Sequence, residues 1–141
     1  MAGPEGTSMA LGRLVMAAGM VEMISGATAW TVVRKQLGNE RIVVPATSPR
    51  FPNKAVGGPF TAFEQADVVR RVTLKATDGR TYGDMVEDDP MAKMALEAAL
   101  IRSSLFTSIL AFGIAATHVA LGAVFVVVGR ALSSTGGRLA R

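Results

Sequence analysis

Between Arg102 and Arg130 the chain runs for twenty-seven residues without one charged side chain. At 1.5 Å per residue a helix over that run is about 40 Å long, more than the ~30 Å of hydrocarbon in a bilayer. A second run, residues 14–33, is apolar except for Glu22. About 20 apolar residues suffice to cross, so both runs qualify. A buried core helix is the competing explanation. A soluble chain of 141 residues rarely builds two such runs, and the sequence is read as having two membrane spans.

The rest of the composition narrows the chemistry. The chain has no cysteine, which excludes disulfides, thiol catalysis and cysteine-ligated zinc. Its formal net charge is +4, but the basic residues are scattered, with no Lys/Arg block of the kind that binds nucleic acid. Anionic membrane lipids are the better match for that charge, and no nucleic-acid partner is expected. Ala27-Thr28-Ala29 imitates a signal-peptide cleavage site, yet the apolar run continues to Val33. The first span is therefore expected to be a retained anchor.

Local signals divide the chain further. Residues 1–10 read as an N-terminal tail and 11–37 as the first transmembrane helix, with Trp30 near an interface. Residues 38–89 read as a small segment between the spans. In it, 41–44 is a short β-prone run, and three prolines with Gly57-Gly58 make 45–58 an irregular loop. Pro59 suits the first turn of an amphipathic helix over 59–77, whose apolar positions are Ala62, Phe63, Ala66, Val69, Val72 and Ala76. Asp78-Gly79 ends it. Asp88-Asp89-Pro90 opens a long helix over 90–132, with the span at 103–129 and a basic tail at 133–141.

Glu22 has to face protein, because a charged side chain at mid-depth is unfavourable by at least about 2.5 kcal/mol. Ala18, Glu22, Ser25 and Ala29 fall on one helical face with Gly26 beside them, and small residues let a second backbone approach. His118, the one histidine, lies near the middle of the second span, flanked by Gly113, Thr117 and Gly122. In antiparallel helices the depths of Glu22 and His118 differ by roughly 6 Å, within reach of a contact. Two readings stay open. The pair is structural, satisfying itself or a neighbouring subunit, or it is a proton relay or cofactor ligand. The expected packing and partner-contact residues are Ala18, Glu22, Ser25, Gly26, Ala29, Gly113, Thr117, His118 and Gly122.

Catalysis finds no footing. One histidine cannot build a two-histidine metal site, Gly57-Gly58-Pro59 lacks the lysine and spacing of a phosphate loop, and the acids near 84–89 lack calcium-loop spacing. No catalytic, metal or cofactor-binding residue is assigned, and the chain is expected not to be an enzyme.

The motif Ile42-x-Val44, with Phe51, Lys54, Val56, Gly58-Pro59, Ala62 and Ala66, resembles a family of small actinobacterial two-span membrane proteins. Gly79-Arg80-Thr81-Tyr82 and the stretch from Arg102-Ser103-Ser104-Leu105-Phe106-Thr107-Ser108 to Ala111-Phe112-Gly113 are similar to the same family, so the likeness spans about residues 41–122. The resemblance implies an inner-membrane protein with cytoplasmic termini and a periplasmic central segment. It also implies association with a respiratory supercomplex of a cytochrome bc-type reductase and a haem-copper oxidase. The family's histidine after the Gly-Pro motif is replaced here by Arg70-Arg71-Val72-Thr73, so no role of that histidine carries over. Flanking charge alone leaves orientation nearly balanced, with Arg13, Arg130, Arg138 and Arg141 at one end and Arg34, Lys35, Arg41 and Arg102 at the other.

The expected fold is mainly α. It is a two-transmembrane-helix hairpin with a small, partly helical extracytoplasmic segment and a long second helix extending out of the membrane. The expected function is that of a non-catalytic accessory subunit. The alternatives are a small membrane sensor or transport-associated protein, or a homo-oligomer.

Overall fold

The computed structural model describes residues 4–86 and 88–139. The chain is mainly helical, and among the described residues there is no strand. Three α-helices follow in order: α1, Pro4–Asn39; α2, Pro59–Ala76; and α3, Ala92–Leu139. A one-turn 3-10 helix, Tyr82–Asp84, lies between α2 and α3. Within α1 and α3, Gly6–Asn39 and Ala92–Thr135 are long and apolar enough to cross a membrane, and only 17% of the most apolar window of either is buried. A soluble core helix would have most of that window covered.

Both long helices reach further than their composition implied. α1 starts at Pro4 rather than near Leu11, since proline is pre-organised for a first turn and good helix formers follow it. α3 continues through the expected tail to Leu139, because no proline interrupts it. The Ser134 and Thr135 hydroxyls donate to Ala131 O at 2.8 and 3.0 Å, inside the helix. At its other end α3 starts at Ala92, with the Met91 amide donating to Asp89 Oδ1 at 2.8 Å.

The described chain forms two compact units. One combines the residues up to Thr31 with those from Gly113 on; the other is Val32–Phe112. In the first, the α1 and α3 portions run antiparallel and touch along a glycine seam: Gly12 against Gly129, Gly19 against Gly122, and Gly26 against Ala115. The members recur every seven residues on each helix, the spacing that keeps one face turned to a partner over several turns. All five seam glycines are buried. A Cβ placed on Gly19 would lie 2.6 Å from Gly122 O, so the backbones meet with no side chain between them.

The second unit has its own core, built from Leu37, Val44, Val56, Ala62, Ala66, Ala95, Ala98, Leu105 and Phe112. The β-prone run makes one isolated antiparallel bridge, Val43 to Ala55, with Val44 N donating to Lys54 O at 2.9 Å and Val56 N to Ile42 O at 2.9 Å. α2 is capped at both ends. The Gly57 and Gly58 amides donate to Thr61 Oγ1 at 3.2 Å. Gly79, at φ +83°, donates to Leu74 O at 2.7 Å in a left-handed C-terminal turn. Its buried face differs from the expected one: Ala62, Glu64 and Ala66 are covered, while Phe63 and Val72 are exposed.

Candidate functional site

The seam decides where the polar residues of the apolar helices go. Glu22 follows Gly19 by three positions and His118 precedes Gly122 by four, so both side chains leave the seam at its edge. There the Glu22 carboxylate contacts His118 Nδ1 through Oε2. This contact leaves His118 Nε2 and Glu22 Oε1 as polar atoms with no partner among the described residues. The pair is not enclosed: the side chains of Glu22 and His118 are 38% and 46% exposed. Leu14, Val21, Ile24, Ile114 and Leu121 are exposed in the same unit.

The other expected contact residues divide into two sets. Gly26 and Gly122 are seam members. Ala18, Ser25 and Ala29 are exposed, as are Gly113 and Thr117. Gly113 has nothing within 4 Å of where a Cβ would sit, and the Thr117 hydroxyl is spent on its own helix, donating to Gly113 O at 3.0 Å. Contact between the helices runs through Gly26 and Gly122 and through Gly12, Gly19, Ala115 and Gly129, the last four of which lie off the small-residue face read from the sequence. The seven-residue spacing of Gly12, Gly19 and Gly26 is the signal that would have found them.

A second polar constellation stands in the other unit. Glu64, 3% exposed, accepts a hydrogen bond from the Ser48 hydroxyl and lies 3.4 Å from the Arg71 guanidinium. Arg71 also pairs with Asp67 one turn earlier. The Ser48 hydrogen bond, then Arg71, hold the Glu64 carboxyl below the usual carboxylate range against the opposing effect of burial. This arrangement ties the proline-rich loop to α2. Asp89 is likewise held low, first by the Met91 amide and then by Arg80, which fixes the start of α3.

Chemically, the Glu22–His118 pair can offer a hydrogen bond outward from its edge position. Among the described residues, no group of three or more His, Cys, Asp or Glu could hold a metal ion. No family model, curated protein or solved structure matches the chain.

Proposed function

We propose that the chain is an accessory membrane subunit, without catalytic chemistry of its own, that associates with and stabilises a respiratory electron-transfer supercomplex of cytochrome bc-type reductase and haem-copper oxidase. It sits in the inner membrane with cytoplasmic termini and a periplasmic central segment. The observation that carries the accessory role is the half-exposed Glu22–His118 pair on two apolar helices. Lipid cannot hydrogen-bond the free atoms of such a pair, and an intramembrane ionisable group that faces lipid is strongly disfavoured. A neighbouring protein helix removes that penalty. The respiratory partner is supported by the resemblance of residues 41–122 to the two-span family, whose members include a mycobacterial supercomplex-associated factor.

The test is purification from a native host through a C-terminal tag in mild detergent. Reduced-minus-oxidised spectra with haem bands, together with reductase and oxidase chains in the eluate, are the expected result. A colourless product containing only this chain overturns the supercomplex role and favours the homo-oligomer, for which the same open pair is an equally good contact. Membrane association is read separately, from the fraction in which the tagged chain is found.

A further inference from the structure

Among the described residues of the second unit, two arginines that share a cleft have no anionic partner. Arg70 of α2 and Arg102 of α3 together line two adjacent hollows. The inner one, about 60 Å³, is floored by Ala95, Ala98 and Ala99, whose short side chains leave the space open. The outer one, about 190 Å³, is walled by Phe63 and Phe106, which meet edge to face at 6.2 Å between ring centroids. The Arg102 guanidinium lies 5.9 Å from the Phe106 ring centroid, a cation–π contact that fixes its position.

Nearby cations are neutralised. Arg71 pairs with Glu64 and Asp67, and Arg80 with Asp89. Asp67 also lines the outer hollow, its carboxylate engaged by Arg71. Arg70 and Arg102 form no ion pair among the described residues. Arg102 Nε is buried and donates to nothing, a state that a buried N–H of a charged group occupies only at a penalty. Two like charges on one cleft, with a buried donor unmet, form a receptor for an anion.

We infer that Arg70 and Arg102 clamp a phosphate ester in this cleft. Guanidinium forks match the paired oxygens of a phosphate, and charge-assisted hydrogen bonds of this type are the strong ones. The inner hollow admits several water-sized groups, enough for phosphate oxygens. The aromatic wall suits the apolar part of an ester. Arg102 is the last charged residue before the uncharged run 103–129. On the membrane reading proposed above, this places the clamp at the level of lipid headgroups. A lipid phosphodiester and free inorganic phosphate offer the same chemistry.

The experiment uses the full chain in maltoside micelles, titrated calorimetrically with dihexanoyl-phosphatidylglycerol and, separately, with inorganic phosphate. The wild type is expected to bind the lipid, and Arg70→Gln and Arg102→Gln to weaken it at least about tenfold, the loss of one charge-assisted contact. Lys54→Gln, which removes an exposed charge elsewhere, is expected to change little. Lipid binding without phosphate binding assigns a headgroup. Phosphate binding of similar strength, lost in the same variants, assigns a free anion. No binding of either probe, or Arg70→Gln behaving like Lys54→Gln, overturns the clamp. Arg70 is exposed, so that variant keeps the fold even if Arg102→Gln does not, and helicity by circular dichroism checks both. The phosphate arm needs no bilayer, so failure of the clamp is distinguished from failure of the membrane reading.

Discussion

Adding a single methyl group to the glycine seam should open it, and the size of the effect follows from its geometry. Gly19→Ala places a Cβ 2.6 Å from Gly122 O and 2.9 Å from both Phe125 Cβ and Val126 N. Ordinary contact begins near 3.4 Å, so the helices must part by the better part of an ångström. In lipid no hydrophobic force holds two helices together, and dispersion between close backbones is the main attraction. A gap of 0.5–1 Å forfeits a quarter to a half of each contact of ~0.1–0.2 kcal/mol, and at mid-range values a seam with roughly the 50 atom pairs of one buried leucine loses about 3 kcal/mol. The better helix propensity of alanine returns about 1 kcal/mol, leaving a net loss of about 2 kcal/mol. Trp30, the only tryptophan, lies on α1 and reports separation as dodecyl sulfate is titrated into mild-detergent micelles. Gly113→Ala is the control, since nothing lies within 4 Å of its Cβ position. Gly19→Ala and Gly122→Ala should shift the transition to lower detergent, with the double variant costing less than the two losses together because the first methyl already parts the helices. If Gly19→Ala and Gly113→Ala unfold together, the seam does not hold the hairpin.

Other outcomes follow from the polar contacts. Glu22→Ala, which strands the His118 ring, should reduce co-purification of partner chains at least about tenfold, since in the proposed complex the partner would cover an unpaired His118. A proton relay would instead show Glu22→Gln with intact assembly and altered activity, which would refute a packing role. Glu64 supplies a pH test. Its folded-state pKa is below the ordinary value of about 4.5, so the stability it contributes is present above 4.5 and is lost as pH falls through the lower folded value. Hydrogen exchange at Val44 and Ser48 should therefore stay slow down to about pH 4.5 and quicken below it, and Ser48→Ala should shrink that pH-dependent change without moving its onset. An onset well above pH 4.5 in the wild type would contradict the assignment.

Much of the helical framework was legible because its signals are local. Two apolar runs, Pro59 at a helix start and Asp78-Gly79 at a helix end each act within a few residues, and the structure uses them where they stand. Of the seam, only Gly26 and Gly122 were legible. An amphipathic helix reveals its inner face by contrast between polar and apolar sides, but α1 and α3 are apolar nearly all round, which removes that contrast. Smallness alone pointed to Ala18, Ser25 and Ala29, all of which are exposed. What separates Gly19 from Ala18 is the missing Cβ, and a contact at 2.6 Å tolerates no methyl. Glu64 escaped for another reason. Near a helix N-terminus a glutamate is explained by the dipole alone, while its actual partner, Ser48, lies sixteen residues away in an irregular loop. No periodicity links the two.

The seam and the open pair are consequences of one geometry. Helices in contact through glycine backbones leave no volume between them for an imidazole and a carboxylate, so His118 and Glu22 can meet only at the edge. A wider interface, packed through leucine or phenylalanine, would have had room to enclose them. The sequence instead places its glycines where they force closeness and its polar pair one turn away, where closeness exposes it. On the accessory-subunit proposal, burial of the pair is thereby deferred from folding of the hairpin to its association with another chain. Widening the seam should therefore weaken partner binding as well as the hairpin: Gly122→Ala, although it leaves Glu22 and His118 untouched, is expected to lower co-purification alongside Glu22→Ala. A Gly122→Ala protein with a loosened hairpin and full partner recovery would separate the two properties and place the docking surface elsewhere.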